Sequence, residues 1–410
     1  MNIRIIFCAS IMATAFAACS QMDEDQAAWQ GSEAVAVGLN SDVEVRLSSG
    51  GLATRASIES RVDSFEVDNI GIYMLATDRI RTNPEEVAPI DWLDSRCIKM
   101  TNVQANAEKN DLTGATDLNW ADPTATYWYP YENWYAFRFY GYYPRVNNSD
   151  ISLESRYIEA SYDGLDGTKD IIWGQSKRAD MNDATEKYAY SAQYFRQAGH
   201  ATMYPNVAFN HKLMRIQFYI QGVEDENPGI GYEMANKMVL DSVVLYARNS
   251  NYLPGSWDGI PTTAQLVIAD LDNPTNEGKL LINWDGPKST IPMLDADDQP
   301  YLDKKQVNNG DLIKVGQPVL LPVPDEGAGT GFLYGAQINL KMVDGGNVVA
   351  KFNDASPLDL NLNNTTSGIQ AGHTYRVIIK ISGPQKVTLN ATLTPWEEID
   401  EEGFDDLDLN

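Results

Sequence analysis

The stretch NVAFNHKLMRIQFYIQG, from Asn206 to Gly222, alternates apolar and polar side chains over most of its length. Met214, Ile216 and Phe218 fall on one side of an extended chain, and Leu213, Arg215 and Gln217 on the other. A period of two marks a pleated strand with at least one buried face. The same texture recurs at Ser64–Leu75, Arg156–Tyr162, Lys169–Gly174, Lys237–Ala247, Ala264–Leu271, Gly278–Trp284, Gln317–Pro324, Phe332–Val343, His373–Ile381 and Lys386–Trp396. Segments rich in Gly, Asn, Asp and Pro separate these runs, and helical patterning is weak except over Met181–Ala198, which reads as one short helix. Many short strands between turn signals predict an all-β chain of antiparallel sandwiches. A length of 410 residues allows two, with the texture resetting near Tyr204–Asn206. The expected units are therefore 56–205 and 206–410.

The N-terminus is a different kind of segment. Arg4 precedes an apolar run from Ile5 to Ala18, and small residues lead into Cys19, the pattern of a secretory signal. The tetrapeptide FAAC resembles a bacterial lipobox, so residues 1–18 are expected to be removed and Cys19 acylated, which ties the chain to the outer membrane. The competing reading is an ordinary signal cut elsewhere, with Cys19 an incidental thiol. Of three cysteines, Cys8 leaves with the signal and only Cys97 remains beside Cys19, so no internal disulfide is expected. Residues 19–55 are polar and small apart from one alternating island, Asp42–Leu47 (DVEVRL), and end in a Gly/Ser-containing loop around Arg55 and Ala56 that a protease can reach.

The stretch YWYPYENWYAFRFYGYYP, from Tyr127 to Pro144, holds eleven aromatic residues in eighteen positions. Tyr135, Phe137 and Phe139 share one strand face, with Ala136, Arg138 and Tyr140 on the other. Aromatic side chains favour pleated, half-buried surfaces, so the second half reads as a central strand and the first as its approach loop. The competing reading is a glycan platform built on Trp120, Trp128 and Trp134.

Chemistry is sparse. The 57 acidic residues outnumber 31 basic ones for a net charge of −26, which opposes binding of nucleic acid. His200, His211 and His373 are isolated, no His/Cys set has metal-ligand spacing, and no phosphate-cradling loop or nucleophile elbow occurs. Asp270–Gly278 and Asp295–Asp303 carry acidic residues without the EF-hand order, and read as solvated loops. No catalytic residue, cofactor or metal is expected.

Several pieces in order resemble the fimbrillin family of the Bacteroidales, the lipoprotein subunits of type V pili. They are the lipobox at Cys19, LATRAS around Arg55, FEVDNIGIYMLA, WYAFRFYGYYP, KDIIWGQS, VAFNHKLMRIQFYI, QPVLLPVP, AGHTYRVIIKI and VTLNATLTPW. The resemblance spans almost the whole chain and implies two transthyretin-like β-sandwich domains. It also implies export as a surface lipoprotein and cleavage between Arg55 and Ala56 by an Arg-specific protease. Residues 19–55 would leave with the strand DVEVRL, and the emptied groove would accept a strand from another fimbrial subunit. The implied role is a stalk, tip or accessory subunit of a cell-surface fimbria serving adhesion to a host or bacterial surface. The alternative is a surface lipoprotein that binds glycans through its loop tryptophans and does not polymerise. The acidic tail after Trp396 is short, and the sequence leaves open whether it supplies a strand.

Overall fold

The computed structural model describes residues 39–41, 67–80, 87–109, 116–130, 134–176, 190–192, 205, 207–224, 231–249, 256–294, 310–323, 332–353, 356–360, 362, 369–383 and 386–395. Among them regular structure is almost entirely strand, as the alternating runs predict. Cys19, Arg55, Ala56, the island Asp42–Leu47, the segment Asp295–Asp303, His200 and most of Met181–Ala198 lie outside the described residues.

The first nine strands are β1 (Leu39–Ser41), β2 (Val67–Arg79), β3 (Ile98–Lys109), β4 (Thr116–Trp120), β5 (Tyr135–Tyr143), β6 (Ile151–Leu153), β7 (Tyr157–Asp163), β8 (Ile172–Ser176) and β9 (Val207–His211). The rest are β10 (Leu213–Gly222), β11 (Met238–Asn249), β12 (Ile260–Pro261), β13 (Thr263–Asp270), β14 (Leu280–Ile282), β15 (Lys288–Ser289), β16 (Ile291–Pro292), β17 (Leu312–Pro322), β18 (Phe332–Asp344), β19 (Asn347–Asn353), β20 (Leu358–Asp359), β21 (His373–Gly383) and β22 (Lys386–Pro395). A seven-stranded antiparallel sheet runs β1-β4-β3-β2-β5-β8-β9, and a second sheet runs β14-β13-β7-β6. These two sheets share one core. A second core lies between the sheets β17-β10-β21-β22 and β16-β11-β18-β19.

Residues enter a core by strand pairing rather than by place in the chain. β13 and β14 follow β11 in sequence, yet β13 pairs with β7 from Thr263↔Asp163 to Asp270↔Tyr157. Leu266, Ile268 and Ala269 thereby join the core that holds Ile70, Tyr140 and Trp173. The long run from Asn206 breaks into two strands at Lys212. Leu213 packs in the first core, while Met214, Ile216, Phe218 and Ile220 fill the second. One alternating strand thus serves both cores, with its even face turned to the second.

The aromatic strand β5 lies between β2 and β8. The expected one-sided burial is exceeded. Phe137, Phe139, Tyr140 and Tyr142 are all buried, so both faces are covered. Phe139 meets Tyr129 and Tyr190 edge-on with ring centroids 6.1 Å apart in each case. On the other face Tyr140 tilts against Trp173 at 6.5 Å, and Trp173 Nε1 donates to the Ile268 carbonyl at 3.0 Å. Burial of each ring stabilises by about 1.5–3 kcal/mol, so this strand carries much of the first core.

Close packing leaves no room for a side chain at Gly71, beside Tyr142 of β5. A Cβ on Gly71 of β2 would lie 2.2 Å from Cε1 of Tyr142 and 2.7 Å from Oδ1 of Asn102. The Tyr142 hydroxyl donates to that same Oδ1 at 2.6 Å, and Asn102 Nδ2 donates to the Val146 carbonyl and to Asn148 Oδ1. The ring is therefore fixed at both ends. Gly71→Ala should destabilise the protein by about 1–3 kcal/mol through overpacking, read as a lower denaturant midpoint at unchanged slope.

Candidate functional site

In an all-β protein the edges of the sheets are where the backbone offers its chemistry. Unpaired strand N–H and C=O groups accept another strand. The edge of interest is built from β1. Its three residues pair antiparallel with β4 in the register Leu39↔Leu118, Asn40↔Asp117, Ser41↔Thr116. Leu118 is buried in the first core and Trp120 packs against it, while Asn119 between them is exposed. β4 therefore turns an apolar face inward beneath the strand that covers its outer edge. β1 also comes within 8 Å of β9, the opposite edge of the same sheet. The sheet thus curls until its two margins approach, and β1 occupies the seam.

β9 ends in a polar junction. His211 Nδ1 pairs with Asp170 Oδ2, and the Lys212 backbone N–H donates to the Ile171 carbonyl at 2.8 Å. The Lys212 residue keeps partial exposure, but its ammonium is enclosed and lies 4.9 Å from the centre of the Trp173 ring. Burial alone holds that ammonium down to about 8, from an ordinary value of 10.5. A base whose folded value is depressed costs stability while both states are protonated, and the cost fades as pH rises through the interval between the two values.

The sequence-predicted tryptophans do not share one role. Trp120 meets Tyr127 edge-on at 4.9 Å, and both pack against the first core. Trp134 packs against that core too and carries the Arg96 guanidinium 5.7 Å from its ring centre. Arg96 in turn forks onto Asp94, Nη2 to Oδ2 at 2.6 Å, and these bonds hold the Asp94 carboxyl down to about 2. Trp128 is different, with 51% of its surface exposed.

Other candidates are occupied by structural work. His373 Nδ1 lies 3.0 Å from the Ala371 carbonyl. Cys97 is buried and free. In Asp270–Gly278 the Asp270 carboxylate accepts from the Asn273 N–H at 2.9 Å and from Asn276 Nδ2 at 3.0 Å. Glu277 Oε1 accepts from the Tyr140 hydroxyl at 2.9 Å. This loop is docked at its two ends, through Asp270 and Glu277–Gly278, while residues 272–275 at its tip are exposed as expected. Among the described residues no three His, Cys, Asp or Glu side chains group as metal ligands, and no helix is long and apolar enough to cross a membrane. Sequence reasoning passed over Glu277 and Lys212, whose surroundings come from strands far away in the chain.

No protein-family model and no curated protein matches the chain. Similar solved structures come from the Bacteroidales. A fimbrial protein from Bacteroides vulgatus ATCC 8482 is 11% identical at a TM-score of 0.44, covering 88% of this chain and 99% of that one. A candidate cell adhesion protein from Bacteroides uniformis ATCC 8492 is 13% identical at 0.44, covering 88% and 98%. The fimbrial anchor protein Mfa2 from Porphyromonas gingivalis is 8% identical at 0.30, covering 88% and 97%. At such identities and TM-scores the names of these proteins assign no activity to this chain.

Lys212, which follows β9, gives a direct test of the local electrostatics. Lys212→Met should raise stability at pH 7 by about 1–3 kcal/mol, a gain that shrinks as pH climbs from 8 towards 10.5. Chemical denaturation across that range checks both the sign and the slope.

Proposed function

We propose that this chain is a subunit of a cell-surface fimbria, exported as a lipoprotein through Cys19 and assembled by strand addition between chains. The observation that carries the reading is the place of β1. It pairs at the margin of the first sheet, beside β4 and close to β9, and it lies upstream of Arg55 in the chain. An Arg-specific protease cutting between Arg55 and Ala56 would leave β1 joined to the rest only by non-covalent contacts. Three paired residues bury little surface, so such a strand departs easily.

Its departure would uncover the edge of β4 above Leu118 and Trp120, with β9 on the far side of the seam. A strand from a second subunit that presents alternate apolar residues restores the backbone bonds and re-covers that face. While residues 19–55 stay attached, the edge is filled and assembly is blocked. The order of the segments that resemble those of the fimbrillins supports the same reading, as does the apolar run Ile5–Ala18 leading into Cys19. In this scheme 56–410 is the mature subunit, and its role as stalk, tip or accessory follows from which further edges it offers. Adhesion would be a property of the assembled fibre.

Arg55→Ala should yield full-length protein that stays with the outer membrane and gives no SDS-resistant oligomers, where the unaltered chain gives a ladder. A normal ladder from the variant would overturn the proposal. Retention of a non-polymerising chain on polysaccharide, abolished by Trp128→Ala, would instead support glycan binding through the one exposed tryptophan of the three.

A further inference from the structure

We propose that the β13–β14 hairpin is a proton-linked clasp, closing the first sandwich with a segment from the second half of the chain and tightening as pH falls. The inference is independent of fimbrial assembly.

The hairpin is held at its turn by a compact set of contacts. Glu277 Oε1 accepts from Tyr140 on β5 at 2.9 Å and from the Asp270 N–H on β13 at 3.4 Å. Gly278, at φ +75°, lies flat on Trp173 of β8, where a Cβ would come 2.4 Å from Cε3 of the ring. That Trp173 also donates to the Ile268 carbonyl of β13. The turn therefore joins β5, β8 and β13 at one point. Of its two carboxyls that of Glu277 reaches across to β5, while that of Asp270 accepts within the turn from Asn273 and Asn276.

The charged and titratable groups on the surrounding elements divide into those that act on the Glu277 carboxyl, from β5 and β13, and those engaged elsewhere, from β7, the β9–β10 connector and beyond the turn. From β5 come the Tyr140 hydroxyl and the Arg138 guanidinium, which also donates to Gln175 of β8 at 3.3 Å. From β13 comes the buried Asp270 carboxylate, a like charge. β7 supplies Tyr157, whose hydroxyl donates to Glu159 at 2.8 Å. The β9–β10 connector supplies Lys212 on the Trp173 ring, and Lys279 beyond the turn is exposed and bound to Asn276. Burial is the largest influence and disfavours the carboxylate, and Asp270 adds to it. Tyr140, Arg138 and the Asp270 N–H favour the charge without prevailing, so Glu277 titrates above its ordinary value of 4.5. For an acid raised in the folded state, the stabilising contribution is complete below the ordinary value and is lost as pH rises through the folded one. The clasp is tightest in acid.

Release of the hairpin would also strip β7 of the longer of its two partners, leaving only the three-residue β6 beside it. Hydrogen exchange on the full chain between pH 4.5 and 7.5, corrected for intrinsic rates, reads both strands. Protection of residues 263–270 and 157–163 should fall together, severalfold, as pH rises. In Glu277→Gln that fall should be absent and the hairpin should stay protected at pH 7.5. Tyr140→Phe keeps the ring and removes a donor that favours the charged form, so its fall should be larger than in the unaltered chain. Parallel profiles for the unaltered chain and Glu277→Gln would overturn the proposal, as would β7 and β13 exchanging at unrelated rates. Should Glu277→Gln fail to fold, a Tyr140→Phe profile identical to the unaltered one decides against the clasp equally.

Discussion

Tyr140, Trp173 and the loop at Glu277–Gly278 meet in one contact, and the first sandwich depends on it. β5 is aromatic on both faces, and a strand of that kind is stable only if a layer lies on each side. One side is closed by Tyr129 and Tyr190. The other needs β7 and β13, and β13 arrives from a part of the chain that otherwise builds the second core. Removing that segment would uncover Tyr140 and Trp173. The two halves are consequently not separable by a cut at one point in the sequence.

With both faces of the central strand covered, the sheet margins are where another chain can be met. The described strands differ in how their edges are guarded. β17 carries Pro318 and a bend at Gly316, φ +60°, and β14, β16 and β6 are too short to template a partner. β19 has a register break beside Val349, which turns Val348 and Val349 out together and disrupts the ladder. The margin at β4 is guarded by β1 instead, a covering held by three residues. The ten-residue strand β22 is a further margin, so the strand-addition reading rests on the place of β1 upstream of Arg55 and not on every other edge being blocked.

Much of the fold was legible because the apolar periodicity was strong. β2, β7, β8, β10, β11, β13, β18, β21 and β22 all overlap runs that alternate in the sequence. β3 was not legible, although it is among the longest strands. Its inward positions are Met100, Asn102, Ala105 and Ala107, only one of them a large apolar residue, and register shifts interrupt the period. A buried Asn at φ +50° that accepts from Tyr142 and donates to two further oxygens carries no hydrophobic signal. The tryptophans show the same limit from the other side. Trp120, Trp128 and Trp134 look equivalent in a loop-like sequence, and only their neighbours divide them into two packed rings and one exposed one.

The sequence by itself determined that the chain is all-β, that β5 is a core strand, and that alternating faces such as Met214–Ile216–Phe218 point inward. Side-chain period and burial are local properties, written into neighbouring residues. Which strands pair, and so which core each residue enters, was decided only by the tertiary structure. The pairing of β13 with β7, the curl that brings β1 near β9, and the enclosure of Glu277 and Lys212 all join segments distant in sequence. Electrostatic environment and edge exposure depend on what lies across a few ångströms of space, and no pattern along the chain records that.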